Sequence, residues 1–325
     1  MRHENASVFH TSMWLDALRR TYQYQPVAFT DSSPGERLNN AILFCRVRSW
    51  ITGARLVSLP FSDHCEPLVD EPNMLCGLLD SLLTREGREG GYVELRPRKG
   101  SGIPKPFNPS ASFYLHSIDL RQDLDTLFSR LHRSHTQRAV RKAERVGLDL
   151  EVGRSAELLT VFYALHTLTR RRHGMPVQPL NWFQNLFDCL GDRVSVWLAR
   201  DQQRPVAAIV TAVHKQSLIY KYGCSDTAYN RLGGTSLLFW RAIQWAKKHG
   251  LEEFDLGRSN LDDEGLLAFK DHLGAQRAAL TYYRCPTSST NRASVWTPTF
   301  VRVARSVVPK TVQIHIGNRL YKHFA

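Results

Sequence analysis

Short apolar runs with strand-like spacing alternate with stretches of helical spacing along most of the chain. In the second half, apolar runs at 194–198, 206–213 and 218–222 are separated by polar turns and predict three strands in a meander. Residues 236–249 have helical spacing, and residues 253–257 have the pattern of a further strand. Short strands that alternate with helices of this length predict an α/β protein with mixed strand pairing.

The same order of elements occurs in the first half of the chain, which indicates an internal duplication. Residues 56–96 contain a strand that runs into a loop, a helix, a glycine-rich turn and a second strand. The interval from the loop to the second strand is 32 positions from Ser62 to Glu94, and 30 positions from Ser225 to Asp255. Chance recurrence of a generic α/β pattern is the alternative explanation.

The pattern predicts four segments. Residues 1–121 form an N-terminal domain, residues 122–147 a basic connecting helix, residues 148–290 a C-terminal catalytic domain, and residues 291–325 a basic tail. The connecting helix is expected to run without a break to Gly147, because glycine commonly follows the last residue of a helix. A chain of 325 residues is long enough for two domains.

Composition narrows the class of protein. The six cysteines are scattered without a CxxC pair, so we expect reduced thiols rather than a disulfide framework. His166, His173 and His214 show no metal-ligand spacing, and we predict no metal. The first residues lack the apolar core of a signal peptide, and the apolar run at 205–213 is too short to span a membrane. A cytoplasmic protein is therefore expected.

The charge is strongly positive and unevenly distributed. Lysine and arginine number 43 against 30 acidic residues, and eight of them follow Asp271, the last acidic residue. A second basic block at 130–145 contains one acidic residue, Glu144. Such surfaces attract RNA, anionic lipid or phosphate-bearing substrates, with an ordinary solvated surface as the alternative. The tail is expected either to lie on a membrane surface or to pack on the C-terminal domain.

The familiar hydrolase and nucleotide-binding motifs GxSxG, HExxH and the Walker loop are absent from the sequence. Their absence favours a transferase that acts by positioning, in which an amine attacks a bound thioester or ester. A loop that leads into a helix can aim its backbone N–H groups at a phosphate of the donor. The residues of this candidate donor-binding loop are Arg231, Gly233, Gly234, Thr235 and Ser236.

Three residues near the predicted strand ends are candidates for catalysis. Lys270, which follows Phe269, can stabilise a developing oxyanion or bind a tRNA phosphate, although most lysines are simply solvated. Tyr220 and Tyr222 are expected on one face of their strand, and Tyr222 is the candidate general acid, with core packing as the alternative. Candidates for orienting the substrate, or for structural salt bridges instead, are Asp226, Asp255 and Arg258.

Taken in order, these segments resemble the FemAB family, the GNAT-related transferases associated with peptidoglycan interpeptide bridges, and especially its exopolysaccharide-associated branch. The resemblance covers nearly the whole chain, and the linked order is more specific than any one segment. The matching segments are SLPFSD at 58–63, ELR at 94–96, RAVRKAERVG at 138–147, FYALHTLTRRRHGMP at 162–176, YGCS at 222–225, and FDLGRS at 254–259 followed by Phe269-Lys270.

The resemblance implies two tandem GNAT-like domains, each a mixed, mostly antiparallel sheet flanked by helices, with a shared cleft and no metal. It also implies transfer of an acyl group, aminoacyl in characterised members, to an amine of a cell-envelope precursor. By this match Phe269 and Lys270 lie at the reaction centre, and Ser62 and Asp63 belong to the acceptor cleft.

Two departures from the family bear on the donor. The chain lacks the long helical arm that some bridge-forming members use with tRNA, and it keeps a loop of the coenzyme A type. Acyl-CoA is therefore favoured as the donor, while aminoacyl-tRNA stays open.

The partner implied by the resemblance is a small-molecule or lipid-linked envelope or exopolysaccharide precursor. tRNA, and contact of the tail with the inner face of the membrane, are further options. The alternative function is a non-catalytic GNAT scaffold that binds RNA or anionic membrane through its basic surfaces. The oligomeric state stays open.

Overall fold

A computed structural model of the protein describes residues 3–33, 35–36, 38–51, 53–86, 91–100, 102–286 and 321–323. The chain forms two compact units. Unit 1 consists of Met1–Phe113 and Ala279–Ala325, and unit 2 of Tyr114–Ala278. Both contain helices and strands, so the predicted mixed α/β class is confirmed. No helix among the residues with described positions is long and apolar enough to cross a bilayer.

Unit 1 is built on a sheet with the strand order β1-β2-β3-β4-β11. β3 and β4 are parallel, and the other neighbouring pairs are antiparallel. Buried leucines along one face of α2 join the core beneath this sheet. The elements are α1 (Ser12–Tyr22), β1 (Gln25–Thr30), β2 (Ala41–Ser49), β3 (Gly53–Val57), α2 (Pro72–Glu86), β4 (Tyr92–Leu95), the first part of β5 (Asn108–Asp119) and most of β11 (Gln276–Cys285).

Unit 2 is built on a sheet with the strand order β5-β10-β9-β8-β7-β6. The predicted meander is confirmed, because β7, β8 and β9 pair antiparallel in succession. The elements that complete this unit are α3 (Leu124–Arg130), α4 (Arg138–Val146), β6 (Asp149–Gly153), α5 (Ala156–Arg172), α6 (Leu180–Leu190), β7 (Val194–Asp201), β8 (Arg204–His214), β9 (Ser217–Ser225), α7 (Gly234–Lys248), β10 (Glu253–Asn260) and α8 (Glu264–His272).

β9 has a one-residue register shift that overturns one expectation about side-chain direction. Tyr222 is opposite Val210, whereas Tyr220 is opposite Thr211, so the shift falls at Lys221. Because neighbouring residues of β8 face opposite sides of the sheet, the two tyrosines do so as well. The expectation that they share one face is therefore wrong.

β9 and β10 are parallel, but their pairing is short. The register runs from Ser217 opposite Glu253 to Ile219 opposite Asp255, and there the ladder between them ends. Both strands continue for several residues beyond this point. The catalytic candidates Tyr220 and Tyr222 follow the end of the ladder on β9.

The predicted continuous helix at 122–147 is broken. α3 ends before Leu131, which is extended, and a π-helical turn at Arg133–Gln137 precedes α4. The break has a tertiary cause: the backbone N–H of His132 donates to the carbonyl oxygen of His272 at 2.9 Å rather than to its own helix. The predicted end of the helix is confirmed, since Gly147 adopts a left-handed conformation with φ of 75°.

The compact units have different limits from the predicted domains, whose boundaries stay predictions. α3 and α4 belong to unit 2, and the final strand joins unit 1 because Tyr283 pairs with Leu95 of β4. Most of the predicted tail at 291–325 lies outside the described residues. Its described part, Tyr321–His323, belongs to unit 1, where the carbonyl of Lys322 accepts a hydrogen bond from Tyr24 at 2.8 Å.

Candidate active site

Lys270 is buried behind the end of β10. Its side chain comes from α8, and the residue is only 2% exposed. Its Nζ donates hydrogen bonds to the carbonyl oxygens of Gly257 at 2.9 Å and Arg258 at 3.0 Å. A buried ammonium group is costly unless its donors are bonded, and these two carbonyls supply acceptors for it. The alternative of a solvated surface lysine is therefore wrong.

Asp255 shapes the same strand end. Its carboxylate is buried, and Oδ1 accepts a hydrogen bond from the backbone N–H of Gly257 at 2.8 Å. Gly257 has a positive φ of 69°, a conformation that favours glycine. Asp255 thus stabilises the local turn of β10 that presents two carbonyl groups to Lys270. Orientation of the substrate by Asp255 and Arg258, with structural salt bridges as the alternative, stays a prediction.

Phe269 packs in the core beside Lys270. Its ring lies 5.5 Å from that of Phe239 on α7, and Phe239 also packs on Tyr220 at 5.0 Å. A side chain at Gly223 would collide with the Tyr220 hydroxyl, because a Cβ there would lie 2.2 Å from it. Because Gly223 has no side chain, the phenol ring of Tyr220 can pack against β9 at that position.

Tyr222 has a different environment on the opposite face of the sheet. Its hydroxyl accepts a hydrogen bond from Nε1 of Trp182 at 2.7 Å. The rings of Phe183, His166 and Phe162 surround it at centroid distances of 5.0, 5.8 and 6.4 Å. The hydroxyl keeps its own proton for donation when it accepts from Trp182, so the role of general acid stays a prediction.

The candidate donor-binding loop leads into α7. Gly233 has φ of 82°, and a Cβ there would lie 2.3 Å from the backbone oxygen of Ala139 on α4. A Cβ on Gly234 would meet the Val206 side chain at 3.0 Å, so close packing explains both glycines. Gly233 offers no side-chain cap to α7, which leaves the helix N-terminus as the positive end of its dipole. Donor binding by Arg231, Thr235 and Ser236 remains a prediction.

Asp226 has a structural contact at the start of this loop. It caps the 3₁₀ turn at Thr227–Leu232 by accepting a hydrogen bond from the backbone N–H of Ala228 at 3.0 Å. Such a cap fixes the chain entering the turn. Orientation of the substrate by Asp226 stays a prediction.

A basic groove follows the exposed side of α4. We call it the arginine groove; it has a volume of about 660 Å³ and is lined by Arg133, Ser134, Arg138, Arg141 and Arg145. Ala139, next to Arg138, is the residue against which Gly233 packs. The helix that carries the groove thus contacts the loop before α7 through its backbone. Guanidinium groups in such a row form charge-assisted hydrogen bonds with phosphates.

The candidates Ser62 and Asp63 belong to unit 1, whereas the other candidates belong to unit 2. Ser62 is buried, and its Oγ donates to the carbonyl of Leu59 at 2.6 Å. The carbonyl of Asp63 accepts a hydrogen bond from the Tyr282 hydroxyl at 2.6 Å. Leu59 and Phe61 both have positive φ, at 51° and 59°. Non-glycine residues held in this conformation store strain, which is common at functional sites.

A buried ion network supports that strained loop, and sequence reasoning did not identify it. Glu94 accepts from Nε of Arg96 at 2.8 Å and from Nε of Arg284 at 2.6 Å, and Arg96 also donates to the Leu59 carbonyl at 3.0 Å. Burial raises the pKa of Glu94. The guanidinium groups of Arg96 and Arg284 lower it by more than burial raises it, so the pKa of this carboxyl lies below its usual range. The Glu94 carboxylate therefore stays ionised, and its negative charge cancels part of the positive charge of Arg96 and Arg284.

Histidines in unit 2 were also missed by sequence reasoning. His116 on β5 is fully buried, with Nδ1 3.5 Å from the Ser259 hydroxyl and Nε2 3.8 Å from Oδ1 of Asp271. Burial, and the nearby Lys270 cation, lower the pKa of His116 to about 4. A lone histidine in a strand gives no sequence signal of such a position.

Three other histidines lie together near the end of α8: His132, His135 and His272. The His-x-x-His spacing at 132 and 135 is a signal that sequence reasoning passed over, because it considered other histidines. Burial, and the neighbouring His132 and His135, lower the pKa of His272. This keeps the ring of His272 neutral at ordinary pH.

Comparison with known proteins shows a family resemblance over part of the chain. Residues 130–271 match the family described as "Acetyltransferase (GNAT) domain". These residues, which make up most of unit 2, are similar to a GNAT domain. The matched range contains the arginine groove, the loop before α7 and Lys270.

Part of the chain is also similar to a curated enzyme. The chain is 26% identical, over 148 residues, to the UDP-N-acetylmuramoylpentapeptide-lysine N(6)-alanyltransferase of Weissella viridescens. That match spans 43% of this chain and 42% of the enzyme, so the chain aligns with less than half of its curated relative.

Solved structures extend the likeness of fold to most of the chain. The crystal structure of FemX superimposes with a TM-score of 0.66 at 14% identity, covering 86% of this chain and 93% of that one. The structure of L-PGS from Bacillus licheniformis gives a TM-score of 0.57 at 15% identity, covering 89% and 90%. The predicted resemblance to FemAB-like GNAT acyltransferases and the predicted GNAT-like fold are confirmed.

The structure brings some of the predicted site residues together and separates others. Asp255, Arg258 and Lys270 meet at the end of β10, with Phe269 packed beside them. Tyr222 faces the other side of the sheet. The loop before α7 packs on α4, the helix that carries most of the arginine groove.

Proposed function

We propose that the protein is an N-acyltransferase that moves an acyl or aminoacyl group to an amine of a cell-envelope precursor. The match to a GNAT domain and the resemblance to an alanyltransferase support acyl transfer as the reaction. The printed name of that relative specifies a lysine N6 amine on a UDP-linked muramoyl pentapeptide as its acceptor. An amine on a peptide or amino sugar of such a precursor, including an exopolysaccharide precursor, is the acceptor class proposed for this chain.

The observation that carries the proposal is the end of the β9–β10 ladder with Lys270 behind it. The two parallel strands stop pairing after Ile219 and Asp255, in the middle of both. A linear acyl donor inserted there would place its carbonyl near the end of β10. The Lys270 ammonium would then supply positive potential where negative charge develops on the oxygen.

Substitution of Lys270 tests this mechanism. In Lys270→Ala, amine-dependent consumption of the donor should fall at least about tenfold, because a preorganised charge stabilises the transition state. The matched control is Lys248→Ala, which removes an exposed lysine at the end of α7. Unchanged turnover in Lys270→Ala would contradict the role of Lys270, and donor consumption without an amine would contradict N-acyl transfer.

The donor is proposed to be acyl-CoA or aminoacyl-tRNA, both of which carry phosphates. The arginine groove and the N-terminus of α7 support either choice. Thermal shift against acetyl-CoA, a long-chain acyl-CoA and charged tRNA distinguishes the classes. Stabilisation by coenzyme A esters alone assigns acyl-CoA, and stabilisation by charged tRNA with a steep salt dependence assigns aminoacyl-tRNA.

A second candidate function is a GNAT scaffold without turnover that binds RNA or anionic membrane. The arginine groove favours it, because its four guanidinium groups attract any polyanion. Salt-sensitive binding of unrelated RNAs with no donor consumption would support this alternative.

We further propose a cytoplasmic location with peripheral contact at the inner face of the membrane. The basic tail at 291–325 supports it through charge alone, since most of it lies outside the described residues. Flotation with anionic liposomes, with and without residues 291–325, tests that contact. Equal flotation of both forms would contradict it.

A further inference from the structure

We propose that His132, His135 and His272 form a binding site for a divalent transition-metal ion, with zinc as the ion that suits it. One ligand nitrogen from each ring lies within 4.8 Å of the others. The ring centroids are 4.2 Å apart for His132 and His272, 4.6 Å for His135 and His272, and 4.7 Å for His132 and His135. Three imidazoles with an open fourth position are an established ligand set for Zn²⁺.

The backbone around the three histidines is already held in place. The carbonyl oxygen of His272 accepts a hydrogen bond from the His132 N–H at 2.9 Å and another from the Thr136 hydroxyl at 2.8 Å. The side-chain amide of Gln137 donates to the carbonyl of Leu131 at 2.8 Å, which ties the π-helical turn to the chain before it. Because these bonds join the turn to the end of α8, binding requires rotation of side chains and no movement of the fold.

The rotation required is small. Bonds from zinc to imidazole nitrogen of about 2.0–2.1 Å in a tetrahedral arrangement place the nitrogens about 3.3 Å apart. His132 and His135 are exposed and His272 is partly exposed, so the rings can approach one another and an ion can enter from solvent. Nδ1 of His132 accepts a hydrogen bond from the His135 N–H at 3.3 Å. That weak bond is exchanged for the bond to the metal.

The chemistry of the donors selects the kind of ion. The group contains three nitrogen donors and neither a thiolate nor a carboxylate. Neutral imidazoles favour Zn²⁺, Co²⁺, Ni²⁺ and Cu²⁺, whereas Mg²⁺ and Ca²⁺ prefer oxygen ligands. His272 is two positions after Lys270 on α8, so a bound ion would join the helix that carries Lys270 to the π-helical turn. The site does not depend on the proposed acyl transfer.

Metal binding can be measured directly on tag-free, chelator-treated full-length protein. Isothermal titration with Zn²⁺ should show one ion per chain, and Co²⁺ should give the visible absorption of a site with nitrogen ligands. His272→Ala and His135→Ala should each weaken binding by at least about 100-fold, because each removes one of three ligands. The control His249→Ala removes an exposed histidine on another helix and should leave binding unchanged.

Folding of the variants is checked independently. The anchoring bonds use the backbone carbonyl of His272 rather than its ring, so His272→Ala should melt at the wild-type temperature in the presence of chelator. Zn²⁺ should raise the melting temperature of the wild type and of His249→Ala only. Absence of saturable binding to the wild type, or equal binding by a variant with all three histidines replaced by alanine, would overturn the proposal.

Discussion

Each unit buries charged side chains, but the two satisfy those charges differently. In unit 1, Glu94 is held between Arg96 and Arg284, so side chains of opposite charge neutralise one another. In unit 2, the ammonium of Lys270 donates to two backbone carbonyls at the end of β10. A positioned cation beside the end of a strand ladder can act on charge that develops on a substrate. We therefore expect a mainly structural task for the first cluster and propose a chemical task for Lys270.

The largest effect on stability is expected from breaking the cluster of unit 1. Glu94→Gln leaves two buried guanidinium groups without their carboxylate, and should lower the free energy of unfolding by about 3–5 kcal/mol. Urea unfolding measures this loss. The control is Glu151→Gln, which removes a half-exposed carboxylate paired with Arg200 and should cost less than about 1 kcal/mol. Equal losses of unfolding free energy in the two variants would contradict a structural role for the cluster of Glu94, Arg96 and Arg284.

Acidic pH is expected to lower the stability of unit 2, because His166 is buried there as a neutral ring. Burial, and the nearby Arg170 cation, lower the pKa of His166 to about 4, and its Nε2 lies 2.8 Å from the Gln178 oxygen. Between pH 6.5 and about 4 the unfolded chain binds a proton at this residue that the folded chain does not bind. Stability therefore falls as pH falls through that window, by up to about 3 kcal/mol, and levels off below it.

Unfolding of the wild type and His166→Phe at several pH values between 7 and 4 tests this expectation. The variant should lose less stability over the window, because the titrating ring is gone. His116, whose pKa is also about 4, titrates in the same window and remains in both proteins. An identical pH dependence in the two proteins would exclude His166 as the cause.

A smaller and more selective effect is expected from Asp255→Asn. The amide oxygen can still accept the hydrogen bond from Gly257, so the turn of β10 should keep its conformation and the loss of stability should be smaller than in Glu94→Gln. Acyl transfer should nevertheless fall about tenfold if the carboxylate charge orients the amine, a loss that corresponds to about 1.4 kcal/mol. Steady-state kinetics beside urea unfolding separates the two readouts. Acyl-transfer kinetics equal to those of the wild type in Asp255→Asn would show that Asp255 has a structural role only.

The smallest effect is expected for Tyr222→Phe. This change removes the hydroxyl that accepts the hydrogen bond from Trp182 and preserves the ring packing around it. The free energy of unfolding should fall by about 1 kcal/mol. A loss above about 3 kcal/mol would show that the aromatic cluster depends on this bond rather than on packing.

Local patterns predicted the regular elements well. The three apolar runs of the meander, the helix before Gly250 and the following strand all occur close to their predicted places. Local patterns could not predict that the helix is interrupted at Leu131 or that Tyr220 and Tyr222 lie on opposite faces of the sheet. The interruption depends on a hydrogen bond from His132 to the distant His272. The direction of the two tyrosines depends on a register shift of β9 against β8.

The same distinction holds for the candidate site. The amino-acid sequence by itself determined the order of elements, the FemAB-like motifs and the position of Lys270 after Phe269, because periodicity and motif spacing are local properties. Only the tertiary structure decided that Lys270 is buried on the carbonyls of Gly257 and Arg258, and that three histidines from two segments meet. The physical reason is that desolvation and coordination depend on which distant groups the fold places within a few ångströms.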